Sequence, residues 1–157
     1  MIEGILRPPT FEELPTLDQL CFRSKASWGY DAAFMARCRP ALCVDRTLAS
    51  AGLVQVAMHA REIMGVAQVS LRRTAGDVRV AELDLMFVDP PAHGLGLGRA
   101  LMGWAVEVAR ERQAHRLEIL SDPGAKGFYL RCGAVLVGDA PSDVVPGRRL
   151  PLLHVEL

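Results

Sequence analysis

The sequence predicts a mixed α/β fold: a single domain over residues 1–157, with a central twisted mixed sheet of about seven strands and four flanking helices. Two observations favour this class. Segments with alternating apolar residues and segments with apolar residues every three or four positions follow one another in the order β-α-α-β-β-β-α-β-α-β-β. The 157 residues suffice for one substantial core, and the chain shows no internal repeat or linker.

The first third of the chain predicts one short strand and two helices. Residues 4–7 form the predicted strand. The capping-box pattern of Thr10 and Glu13 begins the first helix, in which we expect Pro15 to distort the second turn. Asp31 is a typical N-cap for a second, shorter helix.

The middle of the chain predicts three successive strands, at residues 53–58, 63–71 and 78–88. In the third strand the apolar alternation slips between Val80 and Leu83. This slip indicates a β-bulge or a change of the buried face.

The last part of the chain alternates helices and strands. Helical periodicity extends over residues 97–112, and a strand follows at 115–120. Residues 123–131 predict a short helix, and the last strands are predicted at 135–137 and 150–157.

Composition and charge exclude several classes of function. Eighteen basic and eighteen acidic side chains cancel, so no overall charge attracts nucleic acid or an anionic membrane. The N-terminus lacks the pattern of a secretory signal, and no apolar run is long enough to span a bilayer. The four cysteines and four histidines show no metal-ligand spacing. We therefore expect a cytoplasmic protein with reduced thiols, no metal and neither a nucleic-acid nor a membrane partner.

The most informative segment is residues 88–102, where a strand leads through three alternating glycines into an amphipathic helix. Gly94, Gly96 and Gly98 leave the backbone N–H groups unobstructed, and the helix adds unpaired N–H groups and a positive dipole end. Such a turn is a binding site for a phosphate group. Arg99 stands where a Rossmann fingerprint needs glycine, and the P-loop ending Gly-Lys-Ser/Thr is absent. A tight turn without a ligand is the remaining alternative.

Two segments resemble the motifs of the GNAT superfamily of N-acetyltransferases, and the resemblance extends from end to end of the chain. In that family a strand ending in Val and Pro leads to Arg/Gln-x-x-Gly-x-Gly/Ala, as Val88 and Pro90 do here, with His93 in the Arg/Gln position. Downstream, residues 122–134 resemble Asn-x-x-Ala-x-x-x-Tyr-x-x-x-Gly-Phe, with Asp122 in the Asn position. Two motifs in the right order make the resemblance specific.

The resemblance implies a GNAT-like fold and a site for acetyl-CoA, which would serve as the acyl donor. The loop amides would hold its pyrophosphate, and the strand Met86–Val88 would pair with its pantetheine arm. The cofactor-binding residues implied in this way are Met86, Phe87, Val88, His93, Gly94, Leu95, Gly96, Leu97, Gly98, Arg99, Asp122 and Phe128.

The resemblance also implies two catalytic residues, Tyr129 and Glu82. Tyr129 lies where many members carry the tyrosine that meets the coenzyme sulfur. A phenol is a weaker acid than a thiol by about 1.5 pKa units, or roughly 2 kcal/mol, so a positioned phenol can protonate or hydrogen-bond the leaving thiolate. An alkylammonium is neutral in only about one part in a few thousand at pH 7, so the acceptor needs a base. Glu82 is the first candidate for this base, and Asp84 and water are the alternatives. The explanation without a catalytic role is that Glu82 and Asp84 form a surface carboxylate pair.

The loop over residues 24–30 lies where family members form the acceptor pocket. Trp28 and Tyr30 predict an aromatic wall that suits an amine or a planar substrate, although packing at a helix junction explains them equally. Lys25 is placed to attract a carboxylate. The pair Arg148–Arg149 is interpreted as a solvated pair, with a position at the pocket border as the alternative.

We therefore expect an acetyltransferase that transfers the acetyl group of acetyl-CoA to a primary amine by direct attack, without an acyl-enzyme. A small metabolite, an antibiotic-like amine and a peptide terminus all remain open as acceptors. The alternative is a non-catalytic acyl-CoA sensor with the same fold. A homodimer, common in the family, is compatible with this reading.

Overall fold

Seven strands form the centre of the computed structural model, which describes residues 5–157. They are β1 (Leu6–Arg7), β2 (Val54–His59), β3 (Glu62–Arg73), β4 (Arg79–Val88), β5 (Arg116–Leu120), β6 (Val135–Pro141) and β7 (Arg149–Glu156). They make one sheet in the order β1-β2-β3-β4-β5-β7-β6. Among the paired strands described, β4 and β5 run parallel and every other pair is antiparallel. The predicted mixed sheet is thereby confirmed.

Within residues 5–157, five α-helices accompany the sheet, one more than predicted. They are α1 (Leu14–Ala26), α2 (Ala32–Cys38), α3 (Arg46–Ser50), α4 (Leu97–Glu111) and α5 (Lys126–Arg131). The additional helix is α3, which Asp45 begins by accepting a hydrogen bond from the Leu48 N–H at 2.9 Å. With 5 residues it is too short to show an apolar period in the sequence.

The N-terminal predictions are confirmed except for the effect of proline. A 3₁₀ turn, Phe11–Glu13, precedes α1, so Pro15 lies in the first turn of that helix. Because proline is tolerated there, the predicted distortion of the second turn is wrong. Asp31 caps α2 through the Phe34 N–H at 2.8 Å, as predicted. Of the first predicted strand, Gly4 lies outside the described residues.

The sheet separates two apolar clusters, and β4 contributes to both. Ala81 and Leu83 belong to the cluster under α4, whereas Leu85 belongs to the cluster under α1 and α2. The change of face coincides with a bulge: Val69 of β3 pairs with Leu83, and the preceding residue of β3 pairs with Leu85, which leaves Asp84 as the extra residue. The predicted bulge is confirmed, but it lies at Asp84 and not between Val80 and Leu83, where the sequence placed it.

Strands β4 and β5 separate soon after they meet. Their parallel pairing is confined to Val80–Glu82 and Arg116–Glu118, and β4 then continues to Val88. A cleft opens between the diverging strands and holds the candidate site. No helix within residues 5–157 is long and apolar enough to span a bilayer. All four cysteines are free thiols, and Cys21 and Cys38 are buried in the core.

The end of β4 is tied to α1 by one ion pair. Arg23 Nε and Nη2 donate to the two carboxylate oxygens of Asp89 at 3.0 and 2.6 Å, and Asp89 is buried. The bidentate geometry makes this a strong charge-assisted contact. It fixes the end of β4, which leads into the loop of Gly94, Gly96 and Gly98 (the glycine loop).

We predict that Asp89→Asn lowers the free energy of unfolding by about 1–2 kcal/mol, because Asp89 is buried while Arg23 stays half in solvent. The control is Asp77→Asn, which removes the exposed pair with Arg73 and should cost less than about 0.5 kcal/mol. Urea denaturation of both variants measures the difference. Equal losses would contradict the structural role of the Asp89 pair.

Candidate active site

The cleft has a volume of about 1140 Å³ and is bounded by the ends of β4 and β5, the first turns of α4 and α5, and the loops after α1 and β6. Most of the predicted site residues line it. They are Lys25, Trp28, Glu82, Met86, Phe87, Val88, His93, Gly94, Gly96, Leu97, Gly98, Arg99, Asp122, Phe128 and Tyr129. Two predicted residues do not: Leu95 is 48% exposed on the outer side of the loop, and Tyr30 stands behind Lys25.

The glycine loop presents a row of free backbone donors. Gly94 and Gly96 both have φ of +83°, and Gly96 is the N-cap of α4. Within residues 5–157, no protein acceptor binds the N–H groups of residues 94–99; the first helical bond runs from the Ala100 N–H to the Gly96 carbonyl. These donors and the positive end of a 15-residue helix lie at the cleft, where they suit an anion.

Gly98 allows a close contact between the two helices that bound the cleft. A Cβ atom at this position would lie 3.2 Å from the Phe128 ring, nearer than ordinary packing allows. The Phe128 ring therefore packs directly on the backbone of the first turn of α4. This contact sets the distance between the glycine loop and α5.

The histidine in the Arg/Gln position of the family motif fixes the loop to the strand. His93 Nε2 lies 2.8 Å from the Val88 carbonyl oxygen, and Ser24 Oγ donates to the same oxygen at 3.0 Å. Because a carbonyl only accepts, His93 donates from Nε2 in this arrangement. Ser24, which the sequence did not single out, thus joins α1 to the end of β4.

Tyr129 lies on α5 with its ring buried and its side chain at the cleft. Burial raises the pKa of its phenol well above the usual value, and the nearby Cys132 and Asp122 act in the same direction. Within the described residues no hydrogen bond engages the hydroxyl. The phenol is protonated at neutral pH, and because its raised pKa makes it a weaker acid, it suits a hydrogen bond to a developing thiolate better than full transfer of its proton.

Glu82 is held in an ion pair at the closed end of the cleft. It is the register partner of Glu118 on β5, so two carboxylates stand opposite each other. Arg72 of β3 donates to Glu82 at 2.7 Å and also binds Glu118. Burial acts to raise the pKa of Glu118, but hydrogen bonds from Arg116 and Arg72 bring it below its usual value. The guanidinium offsets a repulsion that would otherwise separate the strands.

Asp84, the bulge residue, is a carboxylate without a cation. It accepts hydrogen bonds from Ser70 Oγ at 2.8 Å and Gln68 Nε2 at 3.2 Å, and within residues 5–157 no positive side chain lies within 4 Å. Asp84 is reached by solvent from the cleft, yet desolvation by the protein around it raises its pKa, an effect that the two hydrogen bonds partly oppose. Asp84 lines the cleft, and its raised pKa and lack of a cationic partner suit it to accept a proton.

Asp122, which the sequence predicted to contact the cofactor, also binds two residues of the predicted substrate loop. Its Oδ2 accepts from the Tyr30 hydroxyl at 2.5 Å and from Lys25 Nζ at 3.2 Å. Arg148 Nη2 donates to the Tyr30 hydroxyl oxygen at 2.7 Å. Burial acts to raise the pKa of Asp122, but these hydrogen bonds and the charge of Lys25 bring it below its usual value. One ionised carboxylate thus joins three loops.

The structure separates the two residues of the Arg148–Arg149 pair. Arg148 lines the cleft, so its interpretation as a solvated side chain is wrong. Arg149 is exposed and pairs with Asp139 at 2.5 Å. Arg149 is the first residue of β7, whereas Arg148 is the last residue of the loop before it, which lines the cleft. Trp28 is 49% exposed and packs over Gly124, so it borders the cleft mouth.

Within residues 5–157, no group of three or more His, Cys, Asp or Glu side chains is arranged to hold a metal ion.

Residues 12–134 match the model of the Acetyltransferase (GNAT) family, and the chain belongs to that family. This confirms the predicted family, and with it acetyl-CoA as the acyl donor that GNAT acetyltransferases use.

Solved structures of other proteins share the fold of this chain. The chain is similar to the GCN5-related N-acetyltransferase of Rhodopseudomonas palustris, with TM-score 0.74, 17% identity and coverage of 97% of this chain and 94% of that one. It is also similar to the PaiA N-acetyltransferase of Thermoplasma acidophilum in complex with coenzyme A, with TM-score 0.73, 13% identity and coverage of 97% and 98%. The ribosomal-protein-alanine N-acetyltransferase of Brucella melitensis gives TM-score 0.71, 23% identity and coverage of 97% and 99%. A comparison with curated protein sequences gives no match.

We predict that Gly96→Ala weakens coenzyme A binding by about tenfold, because a Cβ at φ +83° costs about 1–2 kcal/mol and shifts the loop amides. The control is Gly103→Ala, inside α4, where nothing lies within 4 Å of the new Cβ and alanine favours the helix. Isothermal titration calorimetry with coenzyme A measures both. The prediction fails if both variants bind like the wild type.

Proposed function

We propose that this protein transfers the acetyl group of acetyl-CoA to a primary amine of a small molecule or peptide by direct attack. The observation that carries the proposal is one cleft that joins the free amides of residues 94–99 to the protonated hydroxyl of Tyr129 and the carboxylate of Asp84. The cytoplasmic location and the homodimer stay predictions from the sequence.

The donor set fits acetyl-CoA. The N–H groups of residues 94–99 and the dipole of α4 suit its pyrophosphate, and Arg99 stands beside them in the first turn of the helix. Met86–Val88 line the cleft where β4 has lost its pairing with β5, so this strand edge can pair with the amides of the pantetheine arm. When bound, acetyl-CoA supplies a thioester whose sulfur departs as a thiolate.

Tyr129 is proposed as the group that meets the departing sulfur. Its hydroxyl is protonated, free of protein partners and held by the packing of α5. A proton or hydrogen bond given at the sulfur stabilises the charge that grows there.

Asp84 is proposed as the group that takes the proton of the acceptor amine, directly or through water. The sequence favoured Glu82, but Glu82 shares Arg72 with Glu118, and proton binding there would weaken that ion pair. Asp84 has only neutral hydrogen-bond donors, so it accepts a proton at less cost.

We predict that Tyr129→Phe lowers kcat at least about tenfold and leaves the affinity for coenzyme A within about twofold, because the hydroxyl acts on the reacting sulfur. The control is Cys132→Ala, which should keep its activity since direct attack needs no acyl-enzyme. Thiol release across a panel of amines, amino acids and peptides measures both.

The sensor alternative gives a different result in this assay. A non-catalytic acyl-CoA module would bind coenzyme A equally with and without the Tyr129 hydroxyl and would release thiol with no amine. Loss of activity in Cys132→Ala would contradict direct attack.

We predict that Asp84→Asn lowers kcat/KM about a hundredfold at neutral pH, whereas Glu82→Gln lowers it less than about fivefold. In the wild type, activity should rise with pH as Asp84 ionises, through a pKa above the usual carboxyl value. That limb of the profile should be lost in Asp84→Asn.

The stability of the same variant serves as its folding control. Because the folded-state pKa of Asp84 is raised, its contribution to stability is present at low pH and is lost as pH rises through that pKa. Asp84→Asn should therefore be at least as stable as the wild type at neutral pH. A larger loss of activity in Glu82→Gln would reverse the assignment.

A further inference from the structure

The Asp122 cluster at the cleft wall has more positive than negative charge. Lys25 and Arg148 are both largely buried, with side chains 15% and 21% exposed, and Asp122 is 13% exposed. Lys25 lies 3.2 Å from this carboxylate and Arg148 lies 3.9 Å from it. In the part of the chain that the structure describes, no other carboxylate lies within 4 Å of either cation. One positive charge is therefore left without a counterion in a partly buried place, which is costly unless a ligand supplies the anion.

The aromatic residues next to the cluster hold these cations in place but do not neutralise them. The rings of Tyr30 and Phe34 stack with centroids 4.1 Å apart. Lys25 Nζ lies 5.3 Å and Arg148 Cζ lies 5.2 Å from the Tyr30 centroid. Cation–π contacts attract a cation through the ring quadrupole and add no negative charge. The two donors are thus pre-positioned at the cleft wall, where their remaining N–H groups can meet a ligand.

The floor of the same cleft has the opposite charge. Asp84 lines it with no cation within 4 Å among the described residues, and Glu82 and Glu118 share Arg72 beside it. A ligand that reaches from the wall to the floor meets donors of positive charge at one end and a free carboxylate at the other.

From this juxtaposition we propose, on the basis of the function proposed above, that the acceptor is a zwitterionic amine of the free amino-acid class. Its carboxylate binds Lys25 and Arg148, and its amino group lies at Asp84. Lys25 and Arg148 are then the residues that determine specificity, and Tyr30 is a positioning residue that orients Arg148 through its hydroxyl.

The charges also exclude other acceptors. A polyamine would place a second cation against Lys25 and Arg148, and a peptide N-terminus has an amide where the free amino acid has its carboxylate. The phosphates of coenzyme A have their own donors in residues 94–99. Variants of the cluster should therefore change the KM of the acceptor and not that of acetyl-CoA.

The test compares the common L-amino acids with their carboxamides, which keep the amine and remove the negative charge. With wild-type protein and acetyl-CoA, we expect kcat/KM for the preferred amino acid to exceed that of its carboxamide at least about tenfold, as a charge-assisted contact allows. In Arg148→Met and in Lys25→Met this ratio should fall below about threefold, with the KM for acetyl-CoA within about twofold of wild type.

The matched control is Arg149→Met, the neighbouring arginine that is exposed and paired with Asp139. It should keep the wild-type ratio. Because the wild type and two separate variants, Arg148→Met and Lys25→Met, are all compared, misfolding of one variant does not decide the result. Equal kcat/KM for acids and carboxamides in the wild type, or a preference for polyamines or peptides, would overturn the proposal.

Calorimetry with coenzyme A-loaded protein separates this proposal from the proposed reaction. Wild-type protein that binds an amino acid more tightly than its carboxamide, and loses this selectivity in Arg148→Met, supports the proposed acceptor class. If such binding occurs but no thiol is released, only the proposed acetyl transfer is contradicted. Equal or absent binding of both members of every pair overturns the acceptor class, whatever the outcome of the thiol-release assay.

Discussion

The site depends on one constraint, the separation of β4 and β5 after a short parallel contact. Pairing is limited to Val80–Glu82 and Arg116–Glu118. At the last pair, Arg72 joins Glu82 to Glu118, so the strands are held together where they meet. Beyond it the edge of β4 faces a cleft, whereas β5 stays paired with β7 on its other side along its whole length. Backbone groups without a strand partner need another one, and a bound ligand with amide groups supplies it.

The chemistry is divided among the elements that line the cleft. The glycine loop and the first turn of α4 offer free backbone amides and a helix dipole, which suit an anion without a charged side chain. Tyr129 is held on α5 with its ring buried. Lys25 and Arg148 make one wall cationic, and Asp84 makes the floor anionic. The groups proposed for binding, for contact with the sulfur and for proton acceptance thus come from different elements of the fold.

Local sequence signals predicted most of the fold and the coenzyme half of the site. Glycines at Gly94 and Gly96, the helix after them and Tyr129 on a short helix are features of consecutive residues, so pattern and resemblance identify them. The acceptor half depends on contacts between distant residues: Asp122 meets Lys25 and Tyr30 across 97 and 92 positions. No periodicity in the sequence encodes such contacts. For the same reason the ion pair that occupies Glu82 was not predicted, and the cleft position of Arg148 was given only as the alternative to a solvated pair.

The most direct test of the central claim follows the backbone amides of residues 94–99 by ¹H–¹⁵N NMR during titration with coenzyme A. If these free donors bind the pyrophosphate, their resonances should show the largest shifts in the spectrum and their exchange with water should slow, together with changes at Met86–Val88. Binding that leaves the amides of residues 94–99 unchanged, with the largest shifts at β1 and β2 on the far edge of the sheet, would contradict the account.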